Sequence, residues 1–309
     1  MPIFEIEKLK APDLERLDRA NTVFFLPVGT IEDHGPALPI CADGLEAGGF
    51  AKKLCARIAE SEPNLNLVLF PVAHFGVTSS TSKLSLPVRA HVLRDYLVDL
   101  CDGLFKLGFQ KFVCTSGNLG PAHLTAIEEA GKFLRSKHLR FGLFGKKSAP
   151  VLVSANSVAL FEDEKSDSPI WSDPKEHGGK RDIEAAMTLF PTELDPMWKS
   201  LPTIEKNPLG FSRWRLRQKG EVSGYWGSPS KADTTNAETR LNEKISALIP
   251  KLKAVWSGSE PNHLFRSWYS IYPPNKSLFK AWLLVFSLIF LMALWIVITL
   301  QTFLQGAEF

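Results

Sequence analysis

The stretch LPVGTIEDHGPALPICAD, residues 26–43, decides the fold class of this chain and carries most of its chemistry. The apolar run 23–28 is typical of a buried strand, and the glycine and proline residues after it end that strand. Glu32, His34 and Asp43 therefore fall at the strand end, where α/β proteins place functional residues. Two carboxylates and an imidazole are ligands for divalent metal ions. An isolated Glu-x-His pair is more often a solvated loop, so the surrounding sequence has to decide between the two interpretations.

Strand-like runs alternate with amphipathic helical stretches along the chain. This alternation predicts a mostly parallel sheet with helices on both faces, which is a three-layer α/β fold. The predicted strands lie at residues 23–28, 67–72, 111–115, 141–144 and 151–153, and the predicted helices at residues 45–59, 91–107, 122–137 and 237–255.

The composition excludes several functional classes. The 309 residues are 45% hydrophobic and carry a net charge of only +3, without a concentrated basic patch, so a nucleic-acid partner is not expected. The four cysteines are isolated in apolar contexts, which argues against disulfides and zinc knuckles and favours reduced thiols. The amino terminus has no apolar stretch typical of a secretory signal.

The carboxyl-terminal region differs from the rest of the chain. Residues 281–300 contain no charged side chain, and this apolar stretch is long enough for a helix that crosses a membrane. We expect three parts: a globular domain at 1–256, a linker at 257–280 and a transmembrane helix at 281–304. Basic residues precede the apolar span and only Glu308 follows it, so the positive-inside rule predicts a single-pass, tail-anchored protein whose amino-terminal domain is cytoplasmic.

Four motifs together resemble the creatininase (creatinine amidohydrolase) family. The pattern LPVGTIExHGPxLP, with an aspartate eleven positions after the glutamate, resembles the opening motif of that family. Three further blocks follow in the order of the family: GFQKFVCTSGN at 108–118, EHGGKRD at 176–182 and GYWGSP at 224–229. The resemblance covers roughly residues 20 to 250. It implies the family's three-layer fold, one or two divalent ions (Zn, Mn or Fe), a small-molecule amide substrate and a possible homo-oligomer.

The resemblance also implies a role for individual residues. Glu32, His34 and Asp43 would bind metal, with Asp43 bridging two ions. His177 would be the acid-base residue that protonates the departing nitrogen. Asp182 would complete the metal shell.

This chain departs from the family pattern at several positions. Asn118 stands where the family has a histidine ligand, and an amide oxygen is a weaker ligand for zinc-like ions. Gly120 replaces a glutamate that binds the second metal in creatininases. The loop after Gly76 is shorter than in the family. His74 and His123 are therefore candidates for substrate binding; His123 could also replace the missing imidazole, or either histidine could simply pack.

Three functions remain open from the sequence. The first is a metal-dependent amidohydrolase that acts on a small amide or cyclic amide at the cytoplasmic face of a membrane. The second is a catalytically degenerate relative that binds a ligand or partner at the membrane, which the residues at 118 and 120 favour. The third, a flavodoxin-like nucleotide binder that uses the turn at 117–120, rests on a weak glycine signal and ranks last.

Overall fold

The chain divides into a unit built around a β-sheet, residues 1–270, and a unit at residues 271–309. The structure is a computed structural model that describes residues 3–77, 82, 84–139, 149–155, 176–205, 224–265 and 276–306.

The sheet of the first unit has five described strands, all parallel, in the order β1-β3-β2-β4-β5. They are β1 (Ile3–Glu5), β2 (Thr22–Val28), β3 (Asn66–Leu69), β4 (Lys111–Ser116) and β5 (Val151–Ser154). Phe24 of the central strand β2 pairs with Val68 on one side and with Phe112 on the other. The loop after β2 therefore leaves the sheet near the middle of its carboxyl edge.

The described helices cover both faces of this sheet. They are α1 (Ala11–Arg16), α2 (Ala42–Ser61), α3 (Ala90–Lys106), α4 (Pro121–Leu139), α5 (Lys180–Leu189), α6 (Thr234–Trp256) and α7 (Pro261–Leu264), and the second unit contains α8 (Lys276–Gly306).

Neighbouring residues of β2 point to opposite faces of the sheet, as the pleat of a strand requires. Phe25 lies in a core with Leu54 of α2 and Leu241 of α6. Phe24 lies in a second core with Leu97 of α3 and with residues of α4. Every residue of β2 is buried, which is expected for the central strand of a parallel sheet. The predicted three-layer α/β fold is confirmed.

Most predicted elements are present, and the differences have physical causes. The strand predicted at 67–72 ends at Leu69 because Pro71 has no N–H to continue the ladder. The edge strand β1 and the helix α5 were not predicted, since β1 is only three residues long and α5 follows two glycines. The strand predicted at 141–144 lies outside the described residues.

Two glycines allow the first turn of α2 to contact the ends of β2 and β4. A Cβ atom on Gly29 would lie 2.1 Å from the backbone nitrogen of Gly44, and one on Gly117 would lie 2.7 Å from the Cα of Asp43. Real Cβ atoms do not approach backbone so closely, so these positions require glycine. The same contact places Asp43 beside the loops after both strands.

The second unit consists of α8 in its described part. Leu283–Gln301 is long and apolar enough to cross a membrane by length and composition alone, and none of this segment is buried. The boundaries predicted at 256 and 280 remain predictions. Phe265, within the predicted linker, is buried in the core around Phe25.

We predict that Gly29→Ala destabilises the fold by at least about 1–3 kcal/mol, because the added methyl group must displace the backbone of α2. Gly103→Ala is the matched control, since a Cβ atom there meets nothing within 4 Å. At this exposed position within α3, alanine in place of glycine should stabilise the helix by up to about 1 kcal/mol. Chemical denaturation of the chain in detergent micelles measures both variants. Equal stability of Gly29→Ala and the wild type would contradict the close packing.

Candidate active site

Glu32, His34 and Asp43 meet at the carboxyl edge of the sheet, as the sequence predicts. Glu32 and His34 lie on the loop after β2, and Asp43 lies in the first turn of α2. All three side chains are buried. His34 Nε2 lies 3.2 Å from Asp43 Oδ1, and His34 Nδ1 lies 2.9 Å from the carbonyl oxygen of Glu32. Because both ring nitrogens face oxygens that only accept, His34 is a doubly protonated imidazolium in this arrangement.

The pKa values follow from this pairing. Burial alone would lower the pKa of His34, but the carboxylate of Asp43, with smaller contributions from Asp182 and Glu32, raises it to about 10. Burial alone would raise the pKa of Asp43, but the contact with His34 outweighs burial and holds the pKa of Asp43 well below its usual range. His34 and Asp43 therefore form a buried ion pair at neutral pH.

Asn118 joins the two carboxylates. Its amide nitrogen Nδ2 donates to Glu32 Oε2 at 2.8 Å and to Asp43 Oδ2 at 3.0 Å. Its oxygen Oδ1 accepts from the backbone N–H of Gly120 at 2.8 Å, which fixes the orientation of the amide. The group that faces the carboxylates is thus a donor. The predicted coordination of a metal by the Asn118 oxygen would require the amide to turn over and lose the bond from Gly120.

His177 stacks between two rings beside this cluster. Its imidazole lies 4.3 Å from that of His34 and 4.7 Å from the ring of Trp226 on the other side. His177 Nε2 lies 2.8 Å from the carbonyl oxygen of Asp33 and 3.9 Å from Glu32 Oε1. Since Nε2 donates to a carbonyl, the lone pair of the neutral ring is on Nδ1. Burial, together with the positive charge of His34, lowers the pKa of His177 to about 4.

Asp182 lies on α5 and holds the His177 loop in place. Its Oδ2 accepts from the backbone N–H of Gly178 at 2.6 Å, and its Oδ1 accepts from Arg181 Nη1 at 2.6 Å. Arg181 Nη2 in turn donates to Glu46 Oε1 of α2 at 2.6 Å. Burial raises the pKa of the Glu46 carboxyl, and Arg181 opposes that shift. Both oxygens of Asp182 are therefore engaged by protein donors in this arrangement.

The two histidines proposed for substrate binding occupy different surroundings. His123 is fully buried: its Nδ1 accepts from the N–H of Val77 at 3.1 Å, and its Nε2 lies 2.9 Å from Ser116 Oγ. His74 is exposed and lines a cavity of about 620 Å³ together with Leu45, and none of the five predicted metal ligands lines that cavity. The structure thus brings neither histidine into hydrogen-bonding contact with the cluster around Asp43.

Four residues of the site were not singled out from the sequence. The carbonyl of Asp33 orients His177, Trp226 covers its ring, and Glu46 and Arg181 form the buried pair described above. The glycine-containing block at 224–229 was a signal in the sequence that could have pointed to Trp226. In the structure its glycines at 224 and 227 have positive φ values of 77° and 121°. The ion pair of Glu46 and Arg181 gave no local signal, because the two residues are 135 positions apart in the sequence.

The donor chemistry of the cluster suits a divalent cation, although the present conformation is not a coordination shell. In the described part of the chain, no three His, Cys, Asp or Glu side chains converge in a geometry that could hold a metal ion. The amide of Asn118 and the proton on His34 Nε2 occupy the positions from which carboxylate and imidazole would otherwise coordinate. Two carboxylates and one imidazole nevertheless provide three protein ligands for a single ion.

Comparison with known proteins identifies a matching family model and a distant relative. A family model described as "Creatininase: Creatinine amidohydrolase" matches residues 7–252. A 3-dehydro-scyllo-inosose hydrolase of Thermotoga maritima is 22% identical over 204 residues, which are 64% of this chain and 58% of that protein. The chain therefore matches little more than half the length of this relative.

Solved structures of creatininases share the fold. A crystal structure of creatinine amidohydrolase has a TM-score of 0.62 at 18% identity and covers 84% of this chain and 100% of its own. A manganese form of creatininase also has a TM-score of 0.62 at 18% identity, with 82% of this chain and 99% of its own covered. Mutant creatininases among these neighbours are described as Zn–Zn type and as complexed with creatine.

We predict that His123 makes the fold sensitive to acid. Burial lowers its pKa from 6.5 to about 4. Between these values the unfolded state binds the proton and the folded state does not, so stability falls as pH decreases, by up to about 1.4 kcal/mol per pH unit for this residue. His177 and Glu46 also change the slope of the wild type, so the contribution of His123 is the difference in the free energy of unfolding between the wild type and His123→Asn at pH 7, 6 and 5. His123→Asn should be less stable at pH 7, and its free energy of unfolding should fall less steeply as pH decreases. The control His91→Asn should keep the slope of the wild type. An unchanged slope in His123→Asn would rule out a neutral buried His123.

Proposed function

The chain belongs to the creatininase (creatinine amidohydrolase) family, and we propose that it is a metal-dependent amidohydrolase that hydrolyses a carbon–nitrogen bond in a small amide or cyclic amide. The observation that supports this function is the convergence of Glu32, His34 and Asp43 beside the stacked ring of His177. Hydrolysis of an amide needs both a group that activates water and a group that protonates the departing nitrogen, and this cluster contains candidates for both roles.

Glu32, His34 and Asp43 would hold the ion, which we propose to be zinc, manganese or iron. A divalent ion bound there would lower the pKa of a water molecule and polarise the substrate carbonyl. Binding requires His34 to release the proton on Nε2 and the amide of Asn118 to move off the carboxylates, since these groups now satisfy the same atoms. Acid should therefore weaken metal binding, because protons compete for the imidazole.

His177 would transfer the proton. Its Nε2 is held by the carbonyl of Asp33, so Nδ1 is the nitrogen that accepts a proton and delivers it to the departing nitrogen. The low pKa of His177 makes its protonated form a strong acid, which suits a leaving group as basic as an amide nitrogen. Trp226 keeps the ring orientated by stacking, and the paired backbone hydrogen bonds between His177 and Trp226 hold the two residues together.

Metal analysis and amide hydrolysis, measured on the same preparations, test this function. Asp43→Ala should remove most bound metal and all activity, because it deletes a charged ligand. His177→Asn should keep the metal and lose about 10²–10⁴-fold in kcat toward a panel of linear and cyclic amides, as expected for loss of a general acid-base residue. Asp99→Ala, an exposed position on α3, is the control and should change neither property.

A wild-type chain that binds no divalent ion would refute the proposed mechanism. The second candidate function would then be preferred, namely a creatininase-like protein that binds a ligand or partner without catalysis. The amide of Asn118 between the two carboxylates is the specific observation that favours this alternative.

We further propose that α8 anchors the protein in a membrane as a single-pass helix, with the amino-terminal domain on the cytoplasmic side. The uncharged, unburied segment Leu283–Gln301 supports this role. We also propose a second copy of the chain as a partner, which the resemblance to creatininases implies.

Deletion of the chain from Ser277 onward tests the anchor, because it removes the apolar segment and leaves the first unit complete. The truncated protein should move from the membrane fraction to the soluble fraction and keep any metal and activity of the full chain. Retention of the truncated protein in washed membranes would show that another part of the chain provides the attachment.

A further inference from the structure

Arg181 lies where three segments of the site meet. Its guanidinium donates to Asp182 Oδ1 and to Glu46 Oε1, both at 2.6 Å, and lies 3.4 Å from the carbonyl oxygen of Gly117. Glu46 is one turn after Asp43 on α2, Gly117 precedes Asn118, and Asp182 holds the His177 loop. A single cation thus contacts three segments that carry residues of the proposed active site, namely the start of α2, the loop after β4 and the start of α5.

The position is largely closed to solvent, since only 14% of the Arg181 side chain is exposed. Burial disfavours the charged form, but the carboxylates of Glu46, Asp182 and Asp43 outweigh this and raise the pKa of Arg181. A guanidinium does not lose its proton in proteins, so the positive charge is permanent. It neutralises acidic oxygens that would otherwise be free to coordinate a cation.

The ligands for a second ion are not available beside this charge. Gly120 has no side chain, and both oxygens of Asp182 are engaged by Arg181 and by the N–H of Gly178. A structural neighbour is described as a mutant creatininase of the Zn–Zn type. Among the residues that the structure describes, Glu32, His34 and Asp43 offer ligands for one ion, and the ligands for a second ion are missing or already engaged.

We propose that Arg181 replaces a second metal ion as the fixed cation of the site, and that the protein binds a single divalent ion. This inference rests on the proposed function. The acidic oxygens of Glu46 and Asp182 are held together by a side chain that stays in place at every metal concentration. Removing that charge should convert the same oxygens into a second cation site.

The test is the number of Mn²⁺ ions bound per full-length chain in detergent micelles, measured by equilibrium dialysis and elemental analysis. The wild type should bind one ion, Arg181→Lys should also bind one, and Arg181→Met should bind two. Arg240→Met is the matched control, because Arg240 pairs with Glu184 at 2.7 Å with 17% of its side chain exposed, and Glu184 is not a predicted ligand. This control should bind one ion.

The outcomes separate the inference from the proposed function. Two ions on the wild type, or one ion on Arg181→Met, overturn the role of Arg181 and leave the amidohydrolase proposal intact. No ion on the wild type overturns both. If Arg181→Met is unfolded without metal, added Mn²⁺ should raise its thermal midpoint, since the ion would bind only the folded state. The inference is also overturned if Arg181→Met does not fold at a millimolar Mn²⁺ concentration at which Arg181→Lys is folded.

Discussion

The burial of two carboxylates, those of Glu32 and Asp43, is the constraint on which the site depends. Buried charges are costly unless each is paired or hydrogen-bonded. Here the amide of Asn118 donates to both carboxylates, and His34 pairs with Asp43. These contacts join the loop after β2, the start of α2 and the loop after β4. The fold must bring these three segments together closely, and the glycines at 29 and 117 make that approach possible.

The position of β2 explains why the site lies where it does. β2 pairs with β3 and β4 and is buried along its whole length, so its direction is fixed by both neighbours. In parallel α/β sheets the functional crevice lies outside the carboxyl ends of the strands. The loop after β2 supplies Glu32 and His34, and the loop after β4 supplies Asn118. A shift of either strand would therefore separate the carboxylates from the groups that neutralise them.

The sequence predicted the fold and the central cluster because both leave local signals. The apolar run of β2 and the Glu-x-His spacing are contiguous, and Asp43 follows within one motif. The network around Arg181 could not be predicted, because Glu46 and Arg181 are 135 residues apart and their pairing depends on tertiary packing. The orientation of the Asn118 amide was also inaccessible, since the backbone N–H of Gly120 determines it.

The distribution of charge connects this architecture to the proposed chemistry. Two histidines stack at 4.3 Å, and one of them, His34, is cationic through its contact with Asp43. The positive ring of His34 helps to keep His177 neutral. A cation that bound the carboxylates in place of the His34 proton would act on both rings at once, because it would replace the charge that now lowers the pKa of His177. Occupation of the acidic cluster and readiness of His177 to accept a proton are therefore coupled through a single ring contact.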